Sequence, residues 1–229
     1  MCLIVVAHRA SDRFPLVIAA NRDEEYARPT RAAHWWDDAP DVLGGRDLRH
    51  GGSWLAITRG GRVAAVTNLR GASKPDAPSR GILVRDFVTS NDDPITYARS
   101  VRKEDFAGFH LIAGEIGGTF VHLADELREW TAGIHGVSNG PADARWEKID
   151  RAVDHMRDAL HIDDPLALAH DLIAFLGVAT SNEIERTVFV ATPHYGTRSS
   201  TAIVATNEEV VFVEQSYGVG TYTFRIRRL

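Results

Sequence analysis

The sequence of 229 residues contains a single cysteine, Cys2, and no long apolar run. One cysteine excludes an internal disulfide framework and any metal site built from four cysteines. The apolar start of the chain ends at His8, far short of the roughly 20 residues that a membrane helix needs. The same segment lacks the basic start and longer apolar core of a secretory signal peptide. We therefore expect a cytoplasmic protein without membrane insertion.

Charge of one sign is also scarce, because the formal net charge is only −5 and the sequence pI is about 6.0. No global basic field attracts nucleic acid or an anionic membrane. The ten histidines show no His-x-His or His-Glu-x-x-His spacing, so a metal site has no support. Glycine fingerprints for phosphate or dinucleotide binding are absent too. The partner class that remains is a small-molecule ligand or substrate, and a homo-oligomer is compatible with this composition.

Strand patterns dominate both ends of the chain, and helical patterns occupy its middle. Gly60-Gly61 and Gly117-Gly118 each separate two apolar, β-branched runs, which predicts β-hairpins. Residues 146–160 carry apolar side chains at spacings of three and four, which predicts an amphipathic helix. Asp164-Pro165 begins another helix that ends at Gly177. The predicted strands are 2–8, 14–20, 53–59, 62–69, 109–115, 119–124, 187–191, 201–206, 210–214 and 222–227, and a third helix is predicted over 79–88.

These patterns indicate antiparallel sheets covered by helices. Several predicted strands are nearly continuous in apolar residues, which is typical of strands buried on both faces. We therefore predict a single α+β domain over residues 1–229, with a four-layer αββα arrangement of two stacked, mostly antiparallel sheets between helix layers. Residues 25–52 are rich in Arg, Asp, Pro and Gly and are predicted to be irregular, with Trp35 and Trp36 as anchors.

Cys2 is the first candidate for chemistry. Methionine aminopeptidases usually remove Met1 when the second residue is small, which leaves Cys2 with a free α-amino group. An α-amine titrates at roughly pH 7.7 to 8.0, so part of it is neutral and can act as a base at neutral pH. Nucleophile and base then belong to one residue, as in N-terminal-nucleophile enzymes. The alternative is a small buried apolar residue at the start of a strand.

Asn21, Arg22, Asp23 and Glu24 follow directly on the second predicted strand. If strand geometry continues, Asn21 and Asp23 share one face, while Arg22 and Glu24 share the other. Asp23 can then accept a hydrogen bond from the Cys2 amine, provided that the first two strands pair. The alternative is a solvated turn that contains an arginine–carboxylate pair.

Three later residues are candidates for binding charge on a substrate. Asn68 closes a predicted strand, where a side-chain amide can donate to an oxyanion. Asn139 lies in the segment 136–140, for which turn and capping chemistry is the alternative. Arg198 lies in the polar run 195–201 and offers a planar fork to a carboxylate or phosphate. The hydroxyl groups of that run can equally satisfy the backbone at a strand end.

Taken together, the motifs resemble the NRDE family, which includes the transport and Golgi organisation proteins. They occur in order across nearly the whole chain. The matching segments are Met1-Cys2-Leu3-Ile4, Ala20-Asn21-Arg22-Asp23-Glu24, Arg28-Pro29-Thr30, Gly44-Gly45-Arg46-Asp47, Gly51-Gly52-Ser53-Trp54, Thr67-Asn68, Ser79-Arg80-Gly81, Gly108-Phe109, Gly133-Ile134-His135-Gly136, Ser138-Asn139 and Tyr195-Gly196-Thr197-Arg198-Ser199-Ser200-Thr201.

The resemblance implies an N-terminal-nucleophile-hydrolase-like αββα fold. More distantly, the chain is similar to the penicillin V acylase and bile salt hydrolase group, which cleaves amides with an N-terminal cysteine. Cys2 and Asp23 match the cysteine and aspartate of that group, and Asn21 matches its asparagine. The position of the group's arginine is Ala20, and Arg22 is predicted to lie one strand face away from it.

The same resemblance assigns roles to two residues near the end of the chain. Asn139 and Arg198 match the oxyanion-hole asparagine and the catalytic arginine of the amide-cleaving group by their order in the chain. Both assignments are implied by the resemblance and follow from no shared local motif.

Two hypotheses of function follow. The first is a cysteine amidohydrolase for a non-peptide C–N bond, with catalytic residues Cys2, Asp23, Asn139, Arg198, Asn68 and Arg22, which requires no cofactor. The second is a haem or acyl-CoA/lipid carrier that uses the same cleft, with haem as cargo. Its ligand contacts are Asn21, Trp54 and Arg46, although a tryptophan belongs more often to the core. A hydrolase fold retained for protein interaction is a third reading.

Overall fold

The computed structural model describes residues 2–144, 146–183 and 185–228. The chain forms two compact units, one from residues 1–27 with 132–229 and the other from residues 28–131. The strands are β1 (Leu3–His8), β2 (Leu16–Glu25), β3 (Thr30–Trp36), β4 (Ala39–Asp47), β5 (Leu55–Thr58), β6 (Arg62–Asn68), β7 (Phe109–Glu115), β8 (Phe120–Leu123), β9 (Leu127–Glu129), β10 (Gly133–Ser138), β11 (Tyr195–Ala205), β12 (Glu209–Ser216) and β13 (Gly220–Arg227). The helices are α1 (Gly81–Thr89), α2 (Pro94–Ser100), α3 (Glu147–Ala159) and α4 (Pro165–Leu176), with a short 3₁₀ turn at Lys103–Asp105.

The first unit is a six-stranded antiparallel sheet in the order β10-β1-β2-β11-β12-β13, covered by α3 and α4. Alternate residues of β1 and β2 face the helices and share one core with the apolar stripes of α3 and α4. Met156 and Leu172 are buried there. Asp164 begins α4 by accepting a hydrogen bond from the Ala167 amide at 2.7 Å. In this strand order β1 has a neighbour on each side, β10 and β2.

The second unit is a seven-stranded antiparallel sheet in the order β3-β4-β5-β6-β7-β8-β9, covered by α1 and α2. Phe87 of α1 and Tyr97 of α2 pack edge to face with ring centres 5.2 Å apart. The Tyr97 hydroxyl donates to the Leu83 carbonyl at 2.7 Å, which joins the two helices. Asp93 begins α2 by accepting hydrogen bonds from the amides of Ile95 and Thr96, each at 3.0 Å.

Several segments differ from the prediction, among them the following. Residues 30–47 form the hairpin β3–β4 rather than an irregular region, because β5 supplies a pairing edge for residues without an apolar pattern. Residues 133–138 form β10 along β1. Helix α2 (Pro94–Ser100) was not predicted. Residues 187–191 are not a strand but contain one isolated bridge, Ala191 with Gly196.

Each unit thus contains one antiparallel sheet and two covering helices, the layers of the predicted α+β class. The boundary of the predicted domain, residues 1–229, stays a prediction. Among the described residues no helix is long and apolar enough to cross a membrane. The same part of the chain contains no group of three or more His, Cys, Asp or Glu side chains that could hold a metal ion.

Candidate active site

Cys2 directly precedes β1, between the two strands that flank it. The register pairs Leu3 with Asn21 on β2 and with Ser138 on β10. One residue further along both antiparallel ladders, Cys2 is level with Arg22 on one side and Asn139 on the other. Residues directly opposite each other in antiparallel strands project to the same face. The thiol, the guanidinium and the side-chain amide therefore share one face of the sheet.

The backbone at Cys2 is fixed, while its side chain is partly exposed. The Ser138 hydroxyl donates to the Cys2 carbonyl at 2.7 Å. This bond ties the start of β1 to the end of β10 in addition to the strand pairing. A residue of intermediate exposure on a fixed backbone is an arrangement that a nucleophile can use, and the role of Cys2 stays a prediction.

Asp23 is buried on the opposite face of β2, with 6% of its surface exposed. The Thr197 hydroxyl donates to Asp23 Oδ1 at 2.6 Å, and the Tyr195 hydroxyl donates to the Asp23 carbonyl at 3.0 Å. Burial raises the pKa of the Asp23 carboxyl, while the Thr197 hydrogen bond and the positive charge of Lys148 act to lower it. These partners exclude the solvated turn that was the alternative from the sequence.

Arg22 is buried on the Cys2 face with 5% of its surface exposed, and it pairs with Glu24 at 3.7 Å. Ala20 and Arg22 are two residues apart in an unbroken strand and therefore project to the same face. The prediction that Arg22 lies one strand face away from position 20 is wrong. Arg22 is displaced along the strand by one pleat and stays on that face.

Arg198 occupies a β-bulge in β11. The register with β2 shifts between Thr197, which pairs with Asp23, and Ser199, which pairs with Arg22. A bulge inserts one unpaired residue and redirects its side chain. The Arg198 guanidinium donates to the Glu25 carbonyl at 2.9 Å and is partly exposed. Arg198 is thus the unpaired residue of β11 between Thr197, the partner of Asp23, and Ser199, the partner of Arg22.

Asn139 directly follows β10 and is 3% exposed. The alternative from the sequence was turn and capping chemistry. Asn139 does not cap α3, because the residue before that helix is Trp146 and no side chain caps it. It lies in the bend that follows β10, so the turn part of the alternative stays open.

Asn21 has a structural role rather than the predicted contact with a ligand. Its amide nitrogen donates to the carbonyls of Leu176 and Val188, each at 2.9 Å. Its amide oxygen accepts a hydrogen bond from the Ser200 hydroxyl at 2.6 Å. Because both amide protons and the oxygen are engaged at 2% exposure, Asn21 holds the end of α4 against the sheet.

The remaining predicted residues belong to the second unit. Asn68 is the exposed last residue of β6. Arg46 forms a two-bond pair with Asp38 at 2.9 and 3.1 Å and lies 4.3 Å over the Trp36 ring. Trp36 is buried, and its indole donates to the Gly44 carbonyl at 3.0 Å, so it belongs to the core. Trp54 packs directly on Gly45, where any Cβ would overlap its ring, and it remains partly exposed.

Lys148 and Glu214 are buried charged residues that the sequence did not single out. Lys148 in the first turn of α3 is 1% exposed, and Glu214 on β12 is also 1% exposed. The Thr201 hydroxyl donates to Glu214 Oε2 at 3.4 Å. Both residues lie next to predicted apolar stripes, and no local signal distinguishes them from solvated charges.

The family model described as Transport and Golgi organisation 2 matches residues 1–218. The chain belongs to this family. The homologue from Bos taurus is 32% identical over 243 residues, which cover 90% of this chain and 88% of the relative. The Mus musculus homologue is 30% identical over 245 residues with the same coverage. The predicted family is confirmed.

Solved structures confirm the fold of this Transport and Golgi organisation 2 family member. The C2A mutant of conjugated bile acid hydrolase from Clostridium perfringens matches with a TM-score of 0.53 at 8% identity, covering 98% of this chain and 92% of that one. A Caenorhabditis elegans ortholog of N-acylethanolamine-hydrolyzing acid amidase matches with a TM-score of 0.52 at 10% identity, covering 89% and 92%. The predicted N-terminal-nucleophile-hydrolase-like α+β fold is therefore correct.

Proposed function

We propose that this protein is a cysteine-nucleophile hydrolase that cleaves a non-peptide amide bond with Cys2. The observation that carries the proposal is the arrangement around Cys2, with Arg22 and Asn139 level with it on one face and Asp23 buried just beyond it. Two proteins that share this fold are a hydrolase and an amidase by name, the conjugated bile acid hydrolase and the N-acylethanolamine-hydrolyzing acid amidase. They support the reaction class and leave the substrate open.

The reaction begins after removal of Met1, when the α-amine of Cys2 is free. The neutral amine takes the proton of the thiol, and the sulfur attacks the carbonyl carbon of the amide. Leu3 pairs with Asn21, so the β1–β2 ladder extended past Cys2 leads toward Asp23. We therefore assign Asp23 the role of orienting the α-amine of Cys2. The tetrahedral intermediate carries a negative oxygen, to which the Asn139 amide donates a hydrogen bond.

The intermediate collapses by breaking the C–N bond, and the α-ammonium returns its proton to the departing amine. An acyl thioester on Cys2 remains. Water then attacks the thioester with the α-amine as base, which releases the carboxylic acid and restores the thiol. The α-amine, the thiol and water account for every proton in this cycle. Hydrolysis therefore requires no cofactor.

The two arginines supply positive charge to the substrate. Arg22 lies on the Cys2 face, where it stabilises negative charge at the reacting centre. The bulge at Arg198 presents a second guanidinium beside the same strands. Asn68 stays a prediction as a second oxyanion donor.

The test begins with the intact mass of protein purified from cells, which we expect to lack Met1. The processed protein is then offered a panel of N-acyl aminocoumarin amides of increasing acyl length, with release of the fluorescent amine as the readout. We expect Cys2→Ala to abolish release, and Ser73→Ala, at an exposed loop position, to leave it unchanged. Retention of Met1, or full activity of Cys2→Ala, would contradict the proposal.

The carrier hypothesis is separated from hydrolysis by titrating haemin into the same protein. A hydrolase is expected to give no saturable change in haemin absorbance, whereas a saturable complex lost in Arg46→Ala favours haem as cargo. The existing pair of Arg46 with Asp38 weighs against a free guanidinium for propionates.

A further inference from the structure

An open cavity of about 560 Å³ lies in the first unit, at the end of β1 that is remote from Cys2. It is bounded by the turn between β1 and β2, the start of β10 and the end of α3. Strand β1 has six residues and, at about 3.3 Å per residue, separates the cavity from Cys2 by about 20 Å. Cavities of this size hold small organic ligands. The cavity is therefore a second candidate ligand site, separate from the thiol.

The polar side chains that line this cavity are basic or neutral. Arg9 comes from the turn, and Arg157 and His161 come from the end of α3. Ser11 adds a hydroxyl group. Among the described residues that line the cavity none is Asp or Glu, although the whole chain has 31 acidic against 26 basic residues. The lining is thus positively charged in a protein of negative net charge, which favours an anionic ligand.

The floor of the cavity is apolar. Ile134 of β10 and Leu160 at the end of α3 line the cavity and also pack against the core of the first unit. Ala10 and Ala132 add two methyl groups. An inorganic ion would leave this surface in contact with water, whereas the apolar body of an organic anion would cover it. The floor therefore favours an organic anion over an inorganic one.

Arg9 has a backbone conformation that few side chains adopt. Its φ is +48°, in the left-handed region that glycine occupies at lower cost. The Arg9 amide donates to the Pro15 carbonyl at 3.1 Å, which fixes this turn. Backbone conformations of this kind cluster at binding sites, where the surrounding structure holds them. The turn thus keeps a guanidinium at the cavity in a place where glycine would suit the backbone better.

We propose that this cavity binds a small organic anion, with Arg9 and Arg157 at its charged group and Ile134 and Leu160 against its apolar body. The site goes beyond the proposed hydrolysis, because none of these residues belongs to the Cys2 site. It needs no cofactor and no covalent step.

Two carboxylates near the cavity compete with such a ligand. Asp154 pairs with Arg157 three residues later on α3, and Asp163 pairs with Arg13. The side chains of Arg157 and Asp154 are 60% and 69% exposed, so their ion pair is weak and a bound anion can replace it. Removal of the Asp154 charge should therefore strengthen the binding of an anion to Arg157.

The probe is naphthalene-2-carboxylate, an anion with an apolar body, and the neutral naphthalene-2-carboxamide is its matched control. Isothermal titration calorimetry measures binding to the full chain. We expect saturable binding of the carboxylate and at least about fivefold weaker binding of the carboxamide, since one exposed ion pair changes an affinity by up to about fivefold. Added salt should weaken binding of the carboxylate and leave that of the carboxamide unchanged, because salt screens exposed charges.

The variants test each part of the site. Arg9→Asn removes the guanidinium and keeps a residue type that accepts the left-handed backbone. Arg9→Asn and Arg157→Gln should each weaken the carboxylate about threefold to fivefold and leave the carboxamide unchanged. Asp154→Asn should tighten the carboxylate by about twofold. Arg128→Gln, at an exposed arginine of the second unit, and Cys2→Ala should both bind like the parent.

Equal affinities for the carboxylate and the carboxamide, or no saturable binding of the carboxylate, would overturn the inference. Loss of binding in Cys2→Ala would place the probe in the candidate active site and would overturn it as well. Inorganic phosphate that binds as tightly as the carboxylate would contradict the use of the apolar floor. If Arg9→Asn lowers the Tm, Asp154→Asn still decides, because it changes no lining residue; an unchanged affinity there would contradict the role of Arg157.

Discussion

Replacing Asn21 with alanine tests whether this residue is structural, as its hydrogen bonds indicate, or contacts a ligand. Alanine removes three buried hydrogen bonds and leaves the carbonyls of Leu176 and Val188 without a donor. A net hydrogen bond contributes about 1 kcal/mol, and an unsatisfied buried polar group costs about 1 to 3 kcal/mol. We expect Asn21→Ala to lower the free energy of unfolding by about 3 to 5 kcal/mol. In a chain of this length that corresponds to a fall in Tm on the order of 10 °C.

Thermal and urea unfolding followed by circular dichroism measure this loss. Ser200→Ala removes one of the three Asn21 contacts together with the contact between the Ser200 and Tyr217 hydroxyls, and it should cost about 1 to 2 kcal/mol. Asn68→Ala, at the exposed end of β6, is the matched asparagine control and should stay within about 0.5 kcal/mol of the parent. A parental Tm for Asn21→Ala together with an altered KM would refute the structural role and restore the predicted contact with a ligand.

Two further predictions concern buried titratable groups. Burial, with the charges of Arg9 and His135, lowers the pKa of His8 from 6.5 to about 4, so the unfolded chain takes up a proton between these pH values while the folded protein does not. Stability should therefore fall as pH falls from 6.5 to 4, and thermal scans of His8→Gln should show a flatter dependence; an unchanged slope would contradict the assignment. Acetylation with an N-hydroxysuccinimide ester should modify the exposed Lys74 and Lys103 in the folded protein and reach Lys148 only after unfolding, and early modification of Lys148 would contradict its burial.

The elements that the sequence predicted correctly carry strong local signals. Gly60-Gly61 allows the tight turn between β5 and β6, and Gly61 has a φ of +88° that favours glycine. The Asp164-Pro165 start of α4 needs no tertiary context. Strand β10 was missed because Gly133–Ser138 contains two glycines and only two β-branched residues, so pairing with β1 is what makes it a strand. Strand β3 was missed for a related reason, since it is an edge strand whose exposed residues follow no apolar pattern.

The residues of the candidate site also differ in whether the sequence alone could predict their placement. Cys2, Arg22 and Asp23 were predictable because they lie on two consecutive strands, whose hairpin fixes their order. The placement of Asn139 beside Cys2 depends on β10, which lies far along the chain, so the sequence suggested it only through the order of motifs. The burial of Lys148 was not predictable, because it depends on how α3 packs on β1 and β10. The position of Arg22 needed the observed strand, which showed that it shares a face with Ala20.

In the proposed mechanism the two reactive groups of Cys2, its thiol and its α-amine, have their partners on opposite faces of the first sheet. On one face the Cys2 side chain is level with Arg22 and Asn139, groups suited to a thiolate and an oxyanion. On the other face lies Asp23, which is buried and accepts a hydrogen bond from the Thr197 hydroxyl. Because successive residues of a strand project to opposite faces, a change at Asp23 should alter the base and leave the surroundings of the thiol intact. Nucleophile and base, although they belong to the same residue, can therefore be adjusted independently.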